Sequence, residues 1–132
     1  MAIVLIAEDE YLGRVGLRTC LDWERHGFIL LDDAVNGEDA YQKILRHRPD
    51  ILLLDIKMPR MDGFALLAKL REENIDVHVI ILSGCDDFDS VRTALQYGVL
   101  DYINKLTVTS SELLRALNKV PSLPTAKPPR DE

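Results

Sequence analysis

The chain has 132 residues, which on length alone is one domain with room for a single sizeable core. Apolar residues make up 47% and charged residues 29%, a globular composition and too apolar for wholesale disorder. Lys and Arg number 16 against 22 Asp and Glu, a net charge of −6. That surplus of acid argues against gripping a nucleic-acid backbone or an anionic membrane, both of which need clustered cations. Cys20 and Cys85 make no disulfide framework and suit a reducing cytoplasm. The first residues lack the basic stretch of a secretory signal, and no apolar run reaches the length of a membrane span.

Short apolar runs alternate with segments of helical period along the chain. Residues 3–7, 51–54 and 77–82 read as strands, each closed by a polar residue, and 28–31 and 101–104 are weaker strand candidates. Continuous apolar runs mark strands buried on both faces. Between them, residues 12–25, 38–47, 64–73, 88–97 and 110–119 carry helical periodicity. Asn36-Gly37 precedes the second helix, Gly27 and Gly98 follow helices as stops, and Thr109-Ser110-Ser111-Glu112 is a capping box. Five β-α repeats predict an α/β fold, a five-stranded parallel sheet with right-handed crossovers and helices on both faces. Four of the six prolines fall in residues 121–132 with no apolar periodicity, so a domain over 1–120 and a Pro-rich linker or tail over 121–132 are expected. Lys127 and Arg130 balance Asp131 and Glu132, so the whole −6 belongs to the domain.

In an open parallel sheet, ligands bind beyond the carboxyl ends of the strands. The residues there are Glu8 and Asp9, Asp55, Ser83 and Lys105. Three converging carboxylates repel one another and call for a hard cation such as Mg²⁺. A divalent ion with one lysine holds a phosphoryl group, a serine offers it a hydrogen bond, and an aspartate can itself be the nucleophile. Asp55, at the end of the most apolar strand, is the best candidate. Taken singly, the acids read equally well as helix-terminus residues, Ser83 as a cap and Lys105 as a surface lysine. The coincidence of all four positions at strand ends favours a site. His26, His47 and His78 have no metal-ligand spacing and read as structural or surface residues. Cys20 is expected as a buried helical thiol, Cys85 as unreactive beside acids, Trp23 as packing the first helix's end, and Asp86 to Asp89 as helix capping.

Glu8-Asp9, Asp55-Ile56-Lys57-Met58-Pro59-Arg60-Met61-Asp62-Gly63, Ser83-Gly84 and Tyr102-Ile103-Asn104-Lys105 together resemble the receiver domain of bacterial two-component response regulators. The resemblance spans nearly all of residues 2–120. It implies a flavodoxin-like fold, cytoplasmic location and transfer of a phosphoryl group from a sensor histidine kinase to Asp55 with Mg²⁺. Such a domain catalyses its own modification without being a turnover enzyme of metabolism. By the same resemblance, Asp9, Asp55 and the Lys57 backbone carbonyl bind the metal, with Glu8 acting directly or through water. Lys105 binds phosphoryl oxygens, Ser83 is the switch hydroxyl, Tyr102 swings inward behind it, and Gly84 leaves room for the group. The surface of the fourth helix, fifth strand and fifth helix then changes, to dimerise or to meet an output domain, without direct nucleic-acid or membrane contact by this domain. Leu21-Asp22-Trp23-Glu24 and Ser83 to Phe88 resemble regulators with an AraC-type helix-turn-helix output, which implies transcription control.

Two positions depart from that pattern. Leu106 follows Lys105 where the family usually has proline, so this peptide bond is expected to be either trans or strained. Lys57 places a cation beside the metal site. Other readings stay open: a degenerate receiver acting only as an interaction module, suggested by Leu106, a flavodoxin-like nucleotide or flavin binder, and an aspartate-nucleophile phosphatase. The second lacks a Gly/Ser/Thr-rich cradle after the first strand, and the third lacks an acid at position 57.

Overall fold

The computed structural model describes residues 2–84 and 88–120. Five parallel strands, β1 (Ala2–Ala7), β2 (Phe28–Leu30), β3 (Ile51–Asp55), β4 (His78–Ser83) and β5 (Asp101–Asn104), form one sheet in the order β2-β1-β3-β4-β5. Five helices alternate with them: α1 (Tyr11–Cys20), α2 (Gly37–His47), α3 (Gly63–Glu72), α4 (Phe88–Gln96) and α5 (Ser110–Leu117). This is the parallel sheet expected from the alternation, in the flavodoxin-like order that the resemblance implies. The element bounds differ from the sequence reading by one or two residues except at α1.

Strand residues alternate between the two faces of the sheet, which divides the core. Leu5, Leu52, Leu54, Val79 and Ile81 pack on the side holding Ala40 and Ile44 of α2, Leu66, Leu67 and Leu70 of α3, and Ala94 of α4. Val4, Ile6, Leu53, Ile80, Leu82 and Ile103 pack on the other side, with Leu17 of α1 and Leu113, Ala116 and Leu117 of α5. Every residue of β3 is buried, which is why its sequence is an unbroken apolar run until Asp55. The capping box is present as expected: Thr109 Oγ1 accepts the Glu112 amide at 3.2 Å, and the Glu112 carboxylate accepts the Thr109 amide at 3.0 Å. Gly27 and Gly98 take left-handed conformations at φ 90° and 75°.

The expected helix over residues 12–25 is a correction. α1 stops at Cys20, Leu21 is extended (φ −145°, ψ 145°), and a 3₁₀ turn covers Glu24–His26. The break lets Trp23 fold back, its indole N–H donating to the Leu17 carbonyl at 3.2 Å. Its ring meets Phe28 edge-on at 6.1 Å. Trp23 is buried there, as expected, and the backbone turns directly into β2. Cys20 is a second correction: at the last position of α1 it is only half-buried. Partial desolvation raises its thiol pKa. Cys85, Asp86 and Asp87 lie outside the described residues, while Asp89 sits in the first turn of α4.

Leu53 is fully buried between the central strands and α1 and α5. Leu53→Ala is expected to lower stability by about 2–5 kcal/mol, read as a fall in the urea midpoint with an unchanged slope.

Candidate functional site

The sheet order decides which loops meet. β1 and β3 are neighbours, β4 follows β3, and β5 follows β4, so their carboxyl ends form one continuous edge. Glu8 and Asp9 leave β1 there, Asp55 and Ser83 end β3 and β4, and Lys105 leaves β5. One carboxylate oxygen from each of Glu8, Asp9 and Asp55 lies within 4.8 Å of the others. Glu8 is 0% and Asp55 3% exposed. Burial on this scale disfavours charge unless a counter-charge is close.

Lys105 supplies it. Its Nζ donates to Asp55 Oδ2 at 2.7 Å and Glu8 Oε1 at 2.9 Å, and reaches Glu10 Oε1 at 3.3 Å. Asp55 Oδ1 accepts the Lys57 amide at 3.1 Å, and Glu8 Oε2 accepts the Glu10 amide at 3.1 Å. The Lys57 side chain itself is exposed. Burial alone would lower the Lys105 pKa, but the Asp55 and Glu8 carboxylates outweigh it and raise it. Glu8 is raised above the usual carboxylate range, chiefly by burial, with Lys105 opposing and Asp55 adding to the shift. Asp9 is raised by desolvation and by its neighbour Glu8. One ammonium faces three clustered carboxylates, and an all-oxygen donor set short of positive charge fits a hard divalent cation.

Ser83 is buried at this edge, and its carbonyl accepts the Lys105 amide at 3.0 Å. Gly84 leaves space beside it: a Cβ there would lie 3.4 Å from Lys105 Cε. Tyr102 is half-buried and packs on the core side that holds α2, α3 and α4, so its ring already faces inward. Among the described residues there is no cis peptide bond, so the Lys105–Leu106 bond is trans and the lysine reaches Asp55 without a proline.

Three supporting residues escaped the sequence reading. Glu10, the residue before α1, joins the Lys105 ion pairs. Arg14 donates from one guanidinium nitrogen to the Glu8 and Asp9 carbonyls, both at 3.0 Å, clamping the loop that presents the acids. Gly13 lets α1 lie against Glu8: a Cβ there would fall 2.8 Å from Glu8 Oε1. The spacings of Arg14 and Gly13 from the acids signal only one helical turn. A cavity of about 580 Å³ beside Leu30, Asp39 and Arg46 lies at the β2 edge away from these acids.

The response regulator receiver domain profile matches residues 4–118. The chain belongs to the response regulator receiver domain family. Among curated relatives, the transcriptional regulatory protein YesN of Bacillus subtilis is 38% identical over 102 residues, 77% of this chain and 28% of its own length. HptR of Staphylococcus aureus is 36% identical over 120 residues, 86% of this chain and 47% of its own. The chain therefore spans less than half of these relatives. Among solved structures, the receiver domain of AraT, a response regulator from Geobacillus stearothermophilus, superposes with a TM-score of 0.81 at 37% identity, covering 90% of this receiver chain and 92% of that chain. A chain from the CheX–CheY–BeF₃–Mg²⁺ complex of Borrelia burgdorferi gives 0.80 at 30% identity, covering 90% and 88%.

The raised Glu8 has a defined linkage sign. Its folded pKa lies above its unfolded one, so the ionised carboxylate costs stability at neutral pH, and that cost is relieved as pH falls through the folded pKa. In the metal-free receiver, wild type is expected to gain stability relative to Glu8→Gln between pH 7.5 and pH 5, read by urea unfolding at both values.

Proposed function

We propose that this receiver accepts a phosphoryl group on Asp55 from the phosphohistidine of a sensor histidine kinase. The supporting observation is the buried Asp55 carboxylate, 2.7 Å from the Lys105 ammonium within a cup of acids at the sheet's carboxyl edge. Glu8, Asp9, Asp55 and the Lys57 backbone carbonyl would hold Mg²⁺, which when bound neutralises charge around the incoming group. Asp55 presents an oxygen to phosphorus. As that O–P bond forms, the donor's P–N bond breaks and its electron pair stays on the imidazole. Lys105 leaves its Asp55 contact for a phosphoryl oxygen, Gly84 leaves that oxygen room, and Ser83 donates a hydrogen bond to another.

Movement of Ser83 toward the phosphate would draw Tyr102 further into the side of the sheet against which it already packs. The α4-β5-α5 surface is thereby altered, a local charge event biasing a two-state element. Residues 121–132 read as the linker to an output domain that controls transcription, of the AraC-type helix-turn-helix class by the resemblance in its sequence. In this reading the protein works in the cytoplasm, and this domain touches neither DNA nor membrane. Among the described residues no helix is long and apolar enough to cross a membrane. That surface would then pair with a second copy of the domain or meet the output domain. The interaction-module alternative rested on Leu106, and Lys105 reaches Asp55 with Leu106 in place. The nucleotide-binder alternative meets Glu8 and Asp9 where it needs a phosphate cradle.

The donor's approach has physical support as well. Exposed Leu12 (80%) and Leu106 (73%) line a cleft of about 310 Å³ together with Lys105 and Glu10. Apolar side chains so placed at the rim of an acid cup fit a protein donor better than a small solute.

Incubated with Mg²⁺ and acetyl phosphate, wild type is expected to gain one phosphoryl mass and Asp55→Asn none. An unmodified wild type, or an equally modified variant, would refute the proposal. Leu12→Asp is expected to slow transfer from a phosphorylated kinase about tenfold or more, the loss of one well-buried interface side chain, and to leave transfer from acetyl phosphate unchanged.

A further inference from the structure

The Lys105 ammonium sits on a flexible four-carbon stem, so where it points depends on how its backbone is held. On one side, the Lys105 amide is tied to β4 through the Ser83 carbonyl at 3.0 Å. On the other, the next amide, that of Leu106, donates to the Asn104 side-chain oxygen at 2.9 Å. The Thr107 amide closes the same turn on the Asn104 carbonyl at a longer 3.3 Å. The two amides flanking the Lys105 Cα are therefore fixed by two different acceptors. Side-chain packing contributes little to this hold, since Asn104 is exposed and Leu106 is 73% exposed.

We propose that Asn104 is a positioning residue for Lys105: its side-chain oxygen takes the Leu106 amide and so sets the backbone from which the ammonium reaches Asp55 and Glu8. The proposal rests on the phosphoryl-transfer reading above. Proline has no N–H, so the Asn104 bond requires a residue other than proline at 106, here leucine. A ring that fixes φ and a side-chain acceptor that fixes the same peptide plane are alternative ways to stiffen one turn. This chain uses the second.

The test compares wild type with Asn104→Ala, which removes the acceptor, and Asn104→Asp, which keeps one. With acetyl phosphate and Mg²⁺, Asn104→Ala is expected to slow phosphorylation of Asp55 about threefold or more, the scale of one modest hydrogen bond. Its Mg²⁺ affinity and Tm should stay near wild type, and Asn104→Asp should recover most of the rate. A second arm needs neither metal nor phosphoryl transfer. Trace labelling of amines with acetic anhydride, read by peptide mass, should modify Lys105 about threefold faster in Asn104→Ala than in wild type or Asn104→Asp. Wild-type rates and labelling in Asn104→Ala, or an Asn104→Asp variant as impaired as Asn104→Ala, would overturn the proposal. If wild type itself takes no phosphoryl group, the function proposed above fails, and the labelling arm still decides the role of Asn104.

Discussion

The Lys105 ion pairs with Asp55 and Glu8 are the contacts on which the carboxyl edge of the sheet depends. Two buried carboxylates a few ångströms apart are tolerable only beside a cation, and breaking a buried pair by removing one partner typically costs about 3–5 kcal/mol. The Lys105 side chain is 13% exposed and reaches from the end of β5 to Asp55 at the end of β3 and Glu8 just beyond β1. It thus ties together three strand ends by side-chain contacts, beside the backbone bond from its own amide to the Ser83 carbonyl of β4. One ammonium faces the clustered carboxylates of Glu8, Asp9 and Asp55, so the arrangement remains short of positive charge. In the proposed function, that unmet demand for positive charge is what recruits a divalent cation and, with it, a phosphoryl group.

That view gives the acid surplus of the chain a local meaning. A protein of net charge −6 can still handle phosphate if its acids are gathered where they recruit positive charge. The supporting residues follow from the same need. Arg14 grips the carbonyls of the acid-bearing loop rather than the carboxylates themselves, leaving those free. Gly13 lets α1 close over Glu8 and shield it from water, and Gly84 places no side chain against the Lys105 stem.

The fold was legible where burial imposes a simple pattern. β3 lies between two helical layers, so Ile51 to Leu54 could only be apolar, and the first polar residue after them had to mark the strand's mouth. The parallel topology then made the strand ends neighbours, which is why Glu8, Asp9, Asp55, Ser83 and Lys105 could be grouped before any coordinates were known. The misreading of residues 12–25 has an equally physical origin. Leu17, Leu21 and Trp23 look like a continuing apolar face, but Trp23 reaches its place by folding back onto the Leu17 carbonyl, which a helix through that point would forbid. Arg14 and Asn104 bond to backbone atoms, which every residue carries, so no complementary side chain in the sequence announces them.

Whether the cup receives a tetrahedral, phosphoryl-like group on Asp55 together with a divalent cation is tested most directly by amide NMR on the isotope-labelled domain with beryllofluoride. The account predicts large shifts at Asp55, Ser83, Gly84, Tyr102 and Lys105 when beryllium, fluoride and Mg²⁺ are all present, and none of that pattern when Mg²⁺ is withheld. Unmoved resonances at Asp55 and Lys105 under the full mixture, in a domain that is folded by the same spectrum, would contradict it.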